Sequence, residues 1–340
     1  MAGAVATLMS TRLVCFGEML VRLTAPAGEL LLQTPRFSAH VGGAEANVAI
    51  GFSRLGGEAM MATILPDNPL GHAAHDELRR HGVHTDQVKF TAGRMGLYFL
   101  TPGAVLRAAS IVYDRAGSAF AVAQPDTIDW ASALKGANWL HVSGITPAVS
   151  AYGGEAALAA VKAAVAADVK VCFDGNYRSK LWEARGTSGQ AILKQLLDHA
   201  TLAFIDERDI ALILGRDAGT RQQAAHAAFE TFPRLQMVAA TTRETHGVND
   251  YSLGATLFTR ASGRQVEPVE LPGVVDRIGG GDAFAAGFLF AHMTGMKEAE
   301  TLAFALHAAA AKHGQVGDAS HASAADVLAL MSGGGLDVKR

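Results

Sequence analysis

The chain has 340 residues, 49% of them hydrophobic and 18% charged, with a formal net charge of −3. That is apolar mass enough for one large core, and a slightly acidic balance without a long basic run argues against nucleic acid as a partner. Cys15 and Cys172 are the only cysteines and lie in apolar runs, so we expect free core thiols in a reducing cytoplasm, with no disulfide and no cysteine–metal pair.

Residues 1–12 read as a frayed tail without the charged start and apolar block of a signal peptide, and no apolar run reaches bilayer length, so no membrane partner is expected. One domain is expected over 13–332, followed by a flexible glycine-containing tail at 333–340. A first strand is predicted at 13–16, a helix at 44–55, a strand at 59–65 and a helix at 70–81. Strand 139–142 precedes an alanine-rich helix at 153–167, and further strands fall at 169–174, 202–205 and 235–240. A hairpin at 251–267 and helices at 282–294, 298–313 and 323–331 complete the chain. Such alternation implies an α/β fold of three layers, a mostly parallel central sheet with helices on both faces. Two segments, 18–41 and 94–122, alternate with period two instead, and are expected to form the strands of a small lid.

Parallel sheets collect ligands at the carboxyl ends of their strands. That directs attention to Gly42-Gly43, Ser143-Gly144-Ile145, Asp174 to Arg178, and Gly279-Gly280-Gly281-Asp282. The triple glycine opens a helix, where free N–H groups and the dipole favour an anion such as phosphate. Asp282 at that mouth reads either as a helix cap or as a base that takes a proton from a hydroxyl; at a helix start it is expected to stay ionised. Gly43 and Asn47 read either as an ordinary turn or as a surface for a polyhydroxylated ligand. Tyr113 and Arg115 share a strand face with Tyr98 one strand away; Arg115 either contacts a substrate carboxylate or is solvated. Arg178 sits where it can point into the crevice. Asp206 and Asp209 suit either Mg²⁺ or the acidic first turn of a helix. The histidines, among them His72, His75, His307 and His313, form no metal signature, and the absence of a Gly-Lys dipeptide excludes a Walker loop.

In this order the pieces resemble the PfkB-type, ribokinase-like carbohydrate kinases, from about residue 13 to 330. The resemblance rests on Gly42-Gly43-Ala44-Glu45-Ala46-Asn47 through Leu55-Gly56, on Asp67-Asn68-Pro69-Leu70-Gly71, and on Asp276 to Phe284. Within the family, Gly96-Leu97-Tyr98, Tyr113-Asp114-Arg115, Ser143 to Pro147 and Asn176-Tyr177-Arg178 with Leu181-Trp182 are similar to the members that act on 2-keto-3-deoxy sugar acids. The resemblance implies a ribokinase-like fold and transfer of phosphate from ATP, with Mg²⁺, to a terminal hydroxyl. It implies that Gly43, Tyr98, Tyr113, Arg115, Ile145 and Arg178 line the sugar pocket, beside Asn47. Asp282 is then the base and Gly279, Gly280 and Gly281 the anion hole. ATP contacts are expected from Thr241, Arg243, Gly247, Gly279, Gly281 and Lys312. The chain departs from the family with Arg277 in place of Thr, a third glycine, and Asp206 and Asp209 in place of Asn-x-x-Glu. Two rival readings are a kinase of a neutral ketose or nucleoside, and a non-catalytic sugar or nucleotide sensor. The open lid edge predicts a homo-oligomer.

Overall fold

The computed structural model describes residues 11–333, so most of the two expected tails lies outside the described residues. Thirteen strands are described: β1 (Arg12–Phe16), β2 (Leu20–Thr24), β3 (Ser38–Gly42), β4 (Glu58–Pro66), β5 (His84–Thr91), β6 (Gly96–Thr101), β7 (Ser110–Asp114), β8 (Trp139–Ser143), β9 (Lys170–Asp174), β10 (Leu202–Phe204), β11 (Met237–Thr245), β12 (Tyr251–Thr259) and β13 (Gly263–Leu271). Nine form one sheet in the order β13-β12-β11-β10-β9-β8-β1-β4-β5. The seven from β11 to β5 run parallel, and the β11-β12-β13 meander closes one side antiparallel.

The apolar runs follow from burial on both sheet faces. Val14 and Phe16 of β1 enter one core cluster and Leu13 and Cys15 the other. Helices Ala151–Ala166, Gln190–Asp198, Glu207–Leu214 and Arg221–Thr231 supply Ala157, Leu196, Ile210 and Ala224 to the first cluster. Helices Ala44–Arg54, Gly280–Met293 and Glu298–His313 supply Val48, Phe288 and Leu306 to the second. Both cysteines are buried and free. No described helix is long and apolar enough to cross a membrane.

The lid is the second sheet, in the order β3-β2-β6-β7. It differs from the expected pattern in two places. Residues 25–37 form turns and no strand, and 94–122 ends in a helical turn, Ala119–Val122, because Ser118 Oγ accepts the Ala121 N–H and caps it. β5, absent from the expected elements, is a polar edge strand without a clear alternation of burial.

Candidate active site

Two glycine turns face each other across the strand ends. Gly279 caps helix Gly280–Met293 with φ +81°, and a Cβ there would lie 1.7 Å from the Asp318 carbonyl oxygen. Gly43 caps helix Ala44–Arg54, and its Cβ would lie 2.3 Å from the Glu18 carbonyl oxygen. Only glycine permits this approach. The first turns of both helices therefore meet, and Asn47 Nδ2 donates to Asp282 Oδ2 at 2.6 Å.

Asp282 is not a freely ionised helix-start carboxylate. Burial pushes its pKa up to about 7, against the Asn47 hydrogen bond and the Arg178 charge that lower it. Desolvation thus outweighs the helix dipole that the sequence suggested would keep it ionised. Burial, followed by the charges of Asp282 and Asp209, pushes Asp174 up to about 8. Asp209 rises to about 6 through burial and the Asp206 charge. Arg178 is exposed, its Nη1 donating to the Tyr177 carbonyl at 3.0 Å, and its charge pulls all three carboxyls down.

Glu45, fully buried, sets the neighbouring loop. Its Oε1 accepts from Ser143 N at 3.1 Å, Ser143 Oγ at 2.7 Å and Thr146 Oγ1 at 2.7 Å. With Gly144 N donating to the Asp174 carbonyl at 2.8 Å, this lays buried Ile145 beside the Asp174–Arg178 loop.

On the lid, Tyr98 and Tyr113 are cross-strand partners with ring centroids 6.1 Å apart. The Tyr98 hydroxyl donates to Asp318 Oδ2, and Arg115 lies 5.9 Å from the Tyr113 ring centre. Arg115 is buried and already paired, Nε donating to Glu18 Oε2 at 2.7 Å, while its buried Nη1 has no partner.

Beyond the glycine turn opens a cleft of about 470 Å³, lined by Arg208, Arg221, Thr241, Arg243, Arg277 and Gly281 among others. Arg208 pairs with Asp206 and Arg221 with Glu207. Arg243 and Arg277 lie 5.5 and 5.9 Å from the Tyr251 ring centre, and neither pairs with a carboxylate among the described residues. That leaves uncompensated positive charge beside the free N–H groups of the helix. Another cleft, about 530 Å³ and lined in part by Gln222, His226, Phe258 and Ser262, lies at the opposite end of β12, away from these groups.

The remaining expected residues take other positions. Gly247 sits in the turn between β11 and β12, its N–H donating to the Asp250 carbonyl. Lys312 is fully buried, with Nζ on backbone carbonyls. Asp206 caps helix Glu207–Leu214 by accepting from Arg208 N and Asp209 N at 2.8 and 3.0 Å, and Asp209 Oδ2 accepts the Asp206 N–H at 3.2 Å.

The sequence reading passed over Glu18, Arg22, Glu45 and Asp318. Arg22, fully buried on β2, places Nη2 2.6 Å from Asp276 Oδ2 and Nε 3.1 Å from Asp318 Oδ1. An arginine inside the apolar run Leu20–Leu23 was the available signal, since buried arginine requires carboxylates.

A strand-end crevice with a carboxylate between two glycine turns, a cationic cleft on one side and paired tyrosines on the other, is the layout of a phosphoryl-transfer enzyme acting on a small polar acceptor. The chain belongs to the pfkB family of carbohydrate kinases, whose profile matches residues 10–325. It is 32% identical to the 2-dehydro-3-deoxygalactonokinase of Haloferax volcanii over 336 residues, 98% of this chain and 100% of the relative. With the 2-dehydro-3-deoxygluconokinase of Thermoproteus tenax it shares 29% identity over 90% of this chain and 89% of the relative. The crystal structure of the 2-dehydro-3-deoxygluconokinase of Thermotoga maritima superposes with a TM-score of 0.89 at 33% identity, covering 95% of this chain and 99% of that one. Kinases of this family use ATP.

Proposed function

We propose that this kinase transfers the γ-phosphoryl group of ATP to the terminal hydroxyl of a 2-keto-3-deoxy sugar acid, 2-keto-3-deoxygluconate being converted to its 6-phosphate. The observation that carries the reaction is Asp282, raised to about 7 and held by Asn47 beneath the Gly279–Gly281 turn. A base poised near the working pH has the best balance of ionised fraction and proton affinity. Asp282 takes the acceptor's proton while the N–H groups of Gly279, Gly280 and Gly281 hold the transferring phosphoryl oxygens. Arg243, Thr241 and Arg277 face the nucleotide phosphates, Gly247 lies toward the rim, and Lys312 supports the turn from behind.

The acid's carboxylate goes to Arg178 and to the unpartnered Nη1 of Arg115, with Tyr98, Tyr113, Ile145 and Gly43 around the carbon chain. A neutral sugar would leave that buried N–H unsatisfied. The donor set also fits Mg²⁺: Asp174 is raised by burial and the charges of Asp282 and Asp209, and Asp209 by burial and the charge of Asp206, crowding that a cation relieves. Mg²⁺ bound there would supply charge neutralisation for the phosphates; Asp206, the other expected ligand, fixes Asp209 through the cap. We place the enzyme in the cytoplasm as a homo-oligomer joined through the lid.

The test is ADP release measured with 2-keto-3-deoxygluconate, 2-keto-3-deoxygalactonate, fructose and a nucleoside. One or both acids are expected to exceed the neutral compounds by at least about tenfold in kcat/KM, the scale of one lost charged hydrogen bond. Equal turnover of fructose or the nucleoside overturns the sugar-acid assignment, and ligand binding without ADP release overturns the kinase.

A further inference from the structure

Lys312 is a buried cation whose part behind the glycine turn the reaction scheme leaves unexplained. It is fully buried at the end of helix Glu298–His313, and no carboxylate pairs with it among the described residues. Its Nζ donates instead to two backbone carbonyls, Gln315 at 3.0 Å and Asp276 at 3.3 Å. An ammonium held by carbonyl oxygens is in the environment that suits a bare monovalent cation.

The two carbonyls belong to the two segments that build the glycine turn. Residues 274–278 lead into Gly279, and residues 312–318 end at Asp318, whose carbonyl leaves room at Gly279 for a hydrogen only. Further bonds lace them together. Val275 N donates to the His313 carbonyl at 2.9 Å, and Gly317 N and Ile278 N donate to the two oxygens of the Asp276 carboxylate at 3.1 and 3.0 Å. Arg22 occupies the same carboxylate from the lid. Lys312 sits at the seam, fully buried, and lines neither of the two clefts.

We infer that Lys312 is a built-in monovalent cation, a positioning residue that draws the Asp276 and Gln315 carbonyls together and so holds the Gly279–Gly281 N–H groups in register with the phosphoryl group. Burial lowers its pKa, and the negative charge of Asp276 opposes that, as it would for any cation bound at this seam. The effect on turnover rests on the kinase reading; the cation site itself does not.

Two variants of the protein, read beside the wild type, separate these. Lys312→Ala removes the ammonium and leaves a carbonyl-lined space; Lys312→Met removes the charge and fills the space. Both are expected to lose roughly 10²-fold in kcat, the scale of an ångström-sized misplacement, with KM for the sugar acid little changed. Ammonium or potassium ions should restore most of the activity of Lys312→Ala, tetramethylammonium at equal ionic strength should not, and Lys312→Met should respond to none of them. Thermal unfolding reads the same site without turnover: ammonium is expected to raise the midpoint of Lys312→Ala by a few degrees over tetramethylammonium and to leave the wild type unmoved. Wild-type kcat in Lys312→Met, or no response of Lys312→Ala to ammonium in either measurement, overturns the proposal. If neither variant folds, the wild type decides: a chain carrying its own cation works equally in sodium, potassium and ammonium salts, and one that needs potassium or ammonium does not carry it. Absent turnover on every sugar with an intact ammonium response of Lys312→Ala would sink the kinase reading alone.

Discussion

At the scale of single residues, the site is governed by what burial does to charge. Asp282 ionises at about 7 in the fold against an ordinary 3.8, so between those values the folded state holds a proton the unfolded chain has released. Stability therefore falls as pH rises across that window and the loss is complete above about 7. Activity moves the opposite way, since only the ionised form is a base, and kcat should climb through about pH 7 before levelling. Asp282→Asn is expected to lose roughly 10²–10⁴-fold in kcat with ATP still bound. It should also gain in unfolding midpoint over the wild type on going from about pH 5 to about pH 8; a fully active Asn variant ends the mechanism. The two arginines should part company in the same way. Arg178 is exposed and bonds only its neighbour's carbonyl, so Arg178→Ala should raise KM for the acid and leave stability alone. Arg115→Ala strands buried Glu18 without its partner and should lower stability by about 3–5 kcal/mol in urea unfolding, alongside any change in KM. Glycine and aspartate at a helix start are a local signal, and so were legible. The pairings of Arg115 with Glu18 and of Tyr98 with Asp318 span 97 and 220 residues, and nothing local announces them.

At the scale of elements, legibility followed burial. The strands buried on both faces, β1, β4, β8 and β9, were plain as apolar runs, and the helices at 280–293 and 298–313 nearly so. Edge strand β5 mixes polar and apolar residues and helix Arg221–Thr231 has only a weak apolar stripe, so they carried little signal. Gln190–Asp198, with Leu193, Leu196 and Leu197 on one face, and Glu207–Leu214, behind its Asp206 cap, had a helical pattern that the strand-led reading did not assign as elements. The lid strands were visible from their alternation, but their attachment was not. β2 is fastened to the catalytic turn by one residue, Arg22, between Asp276 and Asp318. Arg22→Met, matched in length and without charge, leaves two carboxylates facing each other across a buried site. It is expected to cost about 3–5 kcal/mol in unfolding free energy and to depress kcat, because Asp276 also accepts the Ile278 N–H that leads into Gly279. Unchanged stability would show that Arg22 does not fasten the lid to the turn.

At the scale of the whole molecule, the alternation of strands and helices was enough to place the crevice, because parallel strands deliver their loops to one edge. What one chain leaves unfinished is the outer face of the lid. Tyr98 and Arg22 turn inward and are buried; on the opposite face Val21 is buried too, with Leu23 and Leu97 packed in part against the same core cluster. There Leu23, Leu97 and Phe99 are half-buried, and Val112, register partner of Phe99, is 52% exposed. An apolar sheet face beside an open edge invites pairing with another sheet. A second copy offers the same face, and a two-fold axis lets each lid cover the other. Light scattering should then give a mass about twice the 35.4 kDa of the chain. Val112→Asp puts a charge into the centre of that contact at a position already exposed in the single chain. It should halve the mass while leaving thermal unfolding of the subunit nearly unchanged, whereas a wild type that scatters as a monomer at all concentrations would refute the pairing of lids.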